Sequence, residues 1–283
     1  MNIESTVLVD GFCDRLQEIR LVHALSEGSH GIIIHPDLVS RFILLKEKLG
    51  MKYQVGLKGD LLFSKYIRIS HEKPITAFSN LERPLVFPMA MVNKCYSLWS
   101  DKREYRFSFA GLITESRRDL MREWVLRNFD SDLPDSITST NYWWASLLPG
   151  RIKKFIPNKT TKIERRVGEL TFWSSNFGRL FPGKSWDEEY FKLLSESQFV
   201  LCPKGDCVWS YRFYEAILCG AIPIVEDTCF AMSDFIFYHT SDEAQTLEWN
   251  KDIALHNFNV MKNKFTFTSS QVDAEIEKIN SKL

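Results

Sequence analysis

The chain is expected to be an α/β protein with parallel sheets, on three observations. Short apolar runs of strand character alternate with amphipathic helical stretches along its 283 residues. The alternation comes in two sets, separated by a polar, charged stretch. The hydrophobic fraction of 45% and charged fraction of 25% are ordinary for a globular protein, and the length suits one large or two ordinary domains.

Taken in order, "TVLVD" (Thr6 to Asp10) reads as a buried strand. "GFCDRLQEIRLVHALSEG" then turns on Gly11 and becomes a helix with Leu16, Ile19, Leu21, Val22 and Leu25 on its apolar side. "GIIIHPD" (Gly31 to Asp37) is a second apolar strand, and "SRFILLKEKLG" a helix stopped by Gly50. "RPLVFP" (Arg83 to Pro88) looks like a strand between prolines. The second set opens with "YRFSFAG", a strand ending at Gly111, and the helix "ESRRDLMREWVLRNF", expected to turn Leu120, Trp124 and Leu126 inward. A helix in "DEEYFKLLSES", a strand and polar loop in "QFVLCPKGD", a helix in "SYRFYEAILCG" and a strand in "AIPIVED" follow. The polar "WSDKREYR" (Trp99 to Arg106) reads as a linker. This organisation predicts two Rossmann-like halves facing each other across a cleft. The expected units are residues 1–104, residues 105–268, and a helix within 269–283 packing back on the first half.

Thirty-six basic and thirty-six acidic residues balance, which argues against a general nucleic-acid binder or a binder of acidic membranes. No basic-then-apolar leader and no apolar run of about 20 residues occurs, so a cytoplasmic protein without a transmembrane segment is expected. The six cysteines form no CxxC pair and no zinc-like cluster with histidine, and read as thiols in a reducing compartment. One glycosylation sequon, Asn158-Lys159-Thr160, is weak evidence for secretion.

The most informative stretch is "CPKGDCVWSYRFYEAILCGAIPIVED" (Cys202 to Asp227). Lys204 and Arg212 flank the start of a helix, the end whose dipole repels cations. A bound anion reverses that cost, and phosphate at a helix N-terminus is the common solution. Gly205 lets backbone approach such a group, and Glu215, about 5 Å further along the same face, suits ribose hydroxyls. On residue chemistry alone a second reading stays open, in which Arg212 and Glu215 simply pair on a solvated face and Lys204 is an ordinary loop lysine.

The segment Ser195 to Asp227 resembles the C-terminal signature of the exostosin-like glycosyltransferases, glycosyltransferase family 47. That family's pattern reads "SKFCLCPRG…SxRFxEAxxxGCIPVI". Pro203, Gly205, Ser210, Arg212, Glu215, Ala216, Gly220, Ile222 and Pro223 are in place over about thirty contiguous residues, while Ala221 replaces the usual cysteine. "YRFSFAGLITESRRDLMREW" (Tyr105 to Trp124) resembles the segment that opens the family's donor domain, and "RPLVFP" is a less close match to its "DVxxP" segment. "DGFCDRLQEI" is similar to the first turn of some GT-B fucosyltransferases. Compact, unanchored members such as those of microbes or large algal viruses are the nearest in design.

The resemblance implies a GT-B fold and inverting transfer of a sugar from a UDP-sugar, UDP-xylose among the candidates, to a hydroxyl of an oligosaccharide. A GDP-fucose-type transferase and a catalytically silent glycan- or nucleotide-binding module are the alternatives. The implied donor site comprises Lys204, Gly205, Ser210, Arg212 and Glu215, with Gly111 and Arg117 or Arg118. Bidentate guanidinium suits the leaving diphosphate. The base is expected from the first half: Asp10 or Asp14 beside the first turn, or His35 after the second strand, with His71-Glu72 a further option. For the aspartates the competing role is a helix cap. No cofactor and no divalent metal are expected, although Asp130 to Asp132 form a DxD triplet of the kind that holds Mn²⁺ in GT-A enzymes. "WSSNFGRLFPGKSW" (Trp173 to Trp186) could stack a base or sugar, or be a packed loop. The oligomeric state is open.

Overall fold

The computed structural model describes residues 5–11, 13, 15–133, 163–174 and 179–283. Elements are numbered below as they occur among these residues. Asp14, the sequon at Asn158 and part of the aromatic loop after Trp173 lie outside them.

The first half holds a four-stranded parallel sheet ordered β3-β2-β1-β4, from β1 (Thr6–Val9), β2 (Gly31–Ile34), β3 (Gln54–Val55) and β4 (Leu61–Leu62). Helices α1 (Leu16–Leu25) and α2 (Val39–Leu49) connect the first three strands, and Gly50 ends α2 in the left-handed conformation, φ 68°. A small antiparallel sheet follows: β5 (Ile67–Ser70), β6 (Ile75–Phe78) and β7 (Leu81–Arg83). Regular structure in the expected strand "RPLVFP" ends at Arg83. Prolines at 84 and 88 remove ladder donors, so Leu85, Val86 and Phe87 are buried in irregular backbone, pinned by Phe87 N–H donating to Phe265 C=O at 2.7 Å. Helix α3 (Met89–Ser97) closes this half.

The second sheet has six strands ordered β13-β12-β11-β8-β10-β9, all parallel except the β9–β10 pair. They are β8 (Tyr105–Gly111), β9 (Ile163–Val167), β10 (Leu170–Ser174), β11 (Ser197–Leu201), β12 (Ile222–Val225) and β13 (Tyr238–His239). Helices α4 (Glu115–Phe129), α5 (Glu188–Ser195), α6 (Tyr211–Leu218) and α7 (Lys251–Lys264) cover it. Helix α4 buries Met121, Trp124, Val125 and Asn128, while Leu126 is 48% exposed, against expectation. Leu126 lies two residues, about 200°, beyond Trp124 and so falls on the opposite side of the helix.

A continuous apolar core runs from Val7 and Ile19 through Phe87 and Cys95 to Tyr214 and Phe265, welding the two sheets into one body. A second cluster built on Phe107, Phe109, Trp124, Phe172 and Phe199 fills the far face of the second sheet. The polar stretch after Trp99 is docked, not a free linker. The Trp99 indole donates to Leu218 C=O at 2.8 Å, and buried Arg103 donates to the carbonyls of Ser195, Ser197 and Cys219. A guanidinium there meets the unpaired carbonyls at the C-terminal ends of α5 and α6. The last helix, α8 (Ser269–Asn280), returns to the first half, where Asp273 accepts from Ser29 N–H and Glu275 from Asn80. Among the described residues no helix is long and apolar enough to cross a membrane.

Candidate active site

In the second sheet β8 is first in sequence, β10 lies on one side of it and β11 on the other. The carboxyl ends of β8 and β11 therefore border the point where the winding reverses, the usual ligand position in open parallel sheets. A cavity of about 280 Å³ opens there, between the second sheet and residues of the first half.

Two helix N-termini meet at this cavity. Arg117 in the first turn of α4 donates from Nη1 to Leu112 C=O and from Nε to Lys204 C=O, both at 3.0 Å. Arg212, in the first turn of α6 and 8% exposed, donates from Nε to Ala110 C=O at 2.8 Å and stacks 4.3 Å over the Phe109 ring. Burial first, and then the charge of Arg212, pull the Arg117 guanidinium below its ordinary value, with Asp206 opposing. Two glycines make the approach possible. A Cβ on Gly111, whose φ is +148°, would stand 2.3 Å from Arg212 Nη2, and one on Gly205 would stand 2.7 Å from Arg117 Nη2. Among the described residues, the buried Arg212 Nη1 and Ser210 Oγ find no hydrogen-bond partner. Ser210 holds the N-cap position of α6 without making the cap bond, so its hydroxyl is left for something else.

Glu215 lines the same cavity but is wholly buried in a cluster of its own. Its carboxylate takes Arg20 of α1, Arg179 at 3.1 Å and the Tyr190 hydroxyl at 2.6 Å. Burial raises the Glu215 pKa, but Arg179, Arg20 and the Tyr190 hydrogen bond outweigh it and bring it down to about 2. The expected ribose contact therefore meets a carboxylate whose oxygens are already bonded. The solvated Arg212–Glu215 pair of the alternative reading does not form either, since both side chains are buried with other partners.

Of the remaining expected residues, Lys204 presents its backbone to Arg117 while its ammonium, 45% exposed, pairs with Glu226 at 3.0 Å and Asp227 at 3.4 Å. Hydrogen bonds to those two carboxylates raise its pKa and hold the side chain off the cavity wall. Arg118 also stays off the wall, pairing with Asp119 and Glu115 on the outer face of α4. Asp10 accepts from Ser64 N–H at 3.0 Å and Ser64 Oγ at 2.6 Å, and His35 Nδ1 accepts from Asp37 N–H; neither lines the cavity. Asp10 is spent on bracing the loop after β4, and His35 on capping a short turn. Asp132 of the DxD triplet pairs with Arg122, and among the described residues no three or more of His, Cys, Asp and Glu are grouped so as to hold a metal.

On the cavity wall, and behind it in the case of Arg20, stand residues that sequence reasoning missed. Arg20 sits between Ile19 and Leu21 with no local mark of function; its partner Glu215 is 195 positions away. Arg179 lies in the aromatic loop already noted, and Tyr190 on α5. His71, named above as a further option for the base, does line the cavity, and it forms the remaining corner with Trp209 and Tyr211, which the sequence did not single out.

Residues 48–235 match the family described as the Exostosin GT47 domain. No curated protein matches significantly. Among solved structures, the chain is similar to that of Anabaena Alr3699/HepE in complex with UDP-glucose. That likeness has 10% identity and a TM-score of 0.35, covering 90% of this chain and 73% of that one. It is also similar to the GtfA/B complex, at 10% identity and a TM-score of 0.32, covering 89% of this chain and 45% of that one. With the domain match spanning well over half of the chain, and Gly205, Ser210, Arg212 and Glu215 of the signature lining the cavity at the switch point of its second sheet, the protein belongs to the exostosin GT47 family of glycosyltransferases.

Proposed function

We propose that the chain transfers a sugar, with inversion at the anomeric carbon, from a UDP-sugar to a hydroxyl of an oligosaccharide. One observation carries the donor site: Arg117 and Arg212 converge from two helix N-termini, their guanidinium tips resting where Gly205 and Gly111 have no side chain. Two guanidinium groups facing two dipole ends repel each other, and a diphosphate relieves both repulsions at once. The unpartnered Arg212 Nη1 and Ser210 Oγ supply two donors for its oxygens. Charge that develops on the departing diphosphate is met by donors fixed in advance, so little reorganisation accompanies bond breaking. This reading uses arginine in place of a divalent ion, and predicts that transfer persists in excess EDTA. Glu215 serves the site indirectly, holding Arg179 and Arg20 in place.

Thermal shifts with UDP, GDP and their sugars test the assignment. A ligand at a hundredfold excess over Kd stabilises by about 2.7 kcal/mol. Arg212→Ala is expected to abolish the shift given by the true nucleotide. An unchanged shift in that variant overturns the diphosphate role. A shift with GDP alone selects the GDP-sugar alternative, and binding without nucleotide release from any donor and glycan pair selects the silent module.

A further inference from the structure

We propose that His71 is the base of the transfer, with its Nε2 taking the proton of the acceptor hydroxyl; this rests on the glycosyltransfer reading above. Among the described residues, His71 is the titratable group that the first half brings to the cavity wall. It sits in the turn between β5 and β6, directly after Ser70, so the small antiparallel sheet carries the ring.

The second half grips it. The Trp209 indole donates to His71 C=O at 2.8 Å, and the Tyr211 hydroxyl lies 3.2 Å from His71 Nε2. The three rings pack against one another, with centroids 5.9 Å apart for His71–Trp209, 6.3 Å for His71–Tyr211 and 5.1 Å for Trp209–Tyr211. Trp209 and Tyr211 flank Ser210 and immediately precede Arg212 in the chain. One short stretch therefore fixes both the imidazole and the guanidinium assigned to the leaving group. An in-line displacement requires base and leaving-group site to be held relative to one another, and this stretch holds both.

The other titratable groups of the cavity fit the role less well. Both Glu215 oxygens are bonded to arginine or tyrosine. Burial raises the Tyr190 and Tyr211 phenols and the Cys207 thiol, so all three stay protonated. Asp206 belongs to the donor loop beside Arg117. Burial, and after it the positive charge of Arg15, lower the His71 pKa against an opposing effect of the Ser70 backbone, so the ring is neutral near pH 7. The groups around it are thus Arg15 from the start of α1, Tyr211 and Trp209 from the second half, and Glu72 next in its own turn.

In the step, the acceptor O–H bond breaks and its proton goes to Nε2, where the hydroxyl displaces the Tyr211 phenol as donor. The acceptor oxygen bonds to the anomeric carbon as the bond from that carbon to the diphosphate oxygen breaks. The electron pair leaves on the diphosphate, held by Arg117 and Arg212, and His71 then returns its proton to water.

The test uses the UDP-sugar that gives the largest thermal shift, a mixture of short oligosaccharides as acceptors, and nucleotide release as the readout. His71→Gln is expected to lower kcat by about 10² to 10⁴ while leaving the UDP thermal shift unchanged. The wild-type rate should fall on the acid side as His71 protonates, and that limb should be absent in the variant. If His71→Gln folds poorly, imidazole added to His71→Ala should restore part of the rate. Rates within threefold of wild type, or an acid limb that persists in His71→Gln and disappears in Asp206→Asn, overturn the assignment to His71. A wild-type protein with no UDP shift and no nucleotide release overturns the donor-site reading, and this proposal with it.

Discussion

Gly111 illustrates how little freedom single positions have here. Its φ of +148° disfavours any side chain, and a methyl group would collide with Arg212 Nη2. Gly111→Ala should therefore push the guanidinium off the cavity and weaken UDP binding by about tenfold or more, a loss of at least ~1.4 kcal/mol. Titration calorimetry with UDP checks it; an affinity equal to wild type would show that Arg212 has room to move. Legibility at this scale follows chain locality. Gly205, Ser210 and Arg212 stand within eight residues of one another; helix electrostatics pointed to Arg212, backbone approach to Gly205, and the family resemblance added Ser210. Arg20 and Arg179 could not be found that way, because their role comes from a buried carboxylate far off in the chain. The Lys204 side chain was misjudged because the nearest carboxylates, Glu226 and Asp227, belong to the next strand's end and become neighbours only when the sheet forms.

At the scale of elements, the β8–α4 and β11–α6–β12 units follow their sequence patterns closely, because alternating runs, glycine stops and a polar first turn all agree. Two elements defeated the pattern. Helix α1 has an apolar stripe, yet Gln17, Glu18, Arg20 and His23 are buried too: Arg20 meets Glu215 of the second half, and Gln17 donates to Val86 C=O in the irregular stretch before α3. "RPLVFP" has strand composition, but proline at 84 and 88 leaves it tied by single bonds such as Phe87 to Phe265. Helix α8 gives the test of this scale. Thr268 accepts from Gln271 N–H while Gln271 returns a bond to Thr268 N–H, a complete capping box. Thr268→Ala should cost about 1 kcal/mol, read as a lower denaturation midpoint with unchanged UDP affinity.

For the whole molecule, the Arg20–Glu215–Arg179 cluster is the polar centre of an otherwise apolar junction between the halves. Removing the carboxylate leaves two guanidinium groups buried together, so Glu215→Ala should destabilise by about 3 to 5 kcal/mol in denaturant unfolding. The pH dependence has a definite sign. The folded pKa of Glu215, about 2, lies below its ordinary 4.5, so its stabilisation is full above 4.5 and is lost as pH falls toward 2. Over that window the wild type should lose roughly 3 kcal/mol more than Glu215→Gln does. Equal acid sensitivity in the two would mean that the cluster does not hold the halves.

The two halves are joined by backbone in two places, through the docked stretch after Trp99 and again where α7 hands over to α8. One tether permits a body to swivel about three axes; two tethers a distance apart leave a single easy rotation, about the line through both. The continuous apolar core and the buried Arg20–Glu215 pair across the junction oppose that last rotation as well, so the two crossings and the packing between them hold the halves as one body. His71 and Arg212, both on the cavity wall, are thereby held in one arrangement.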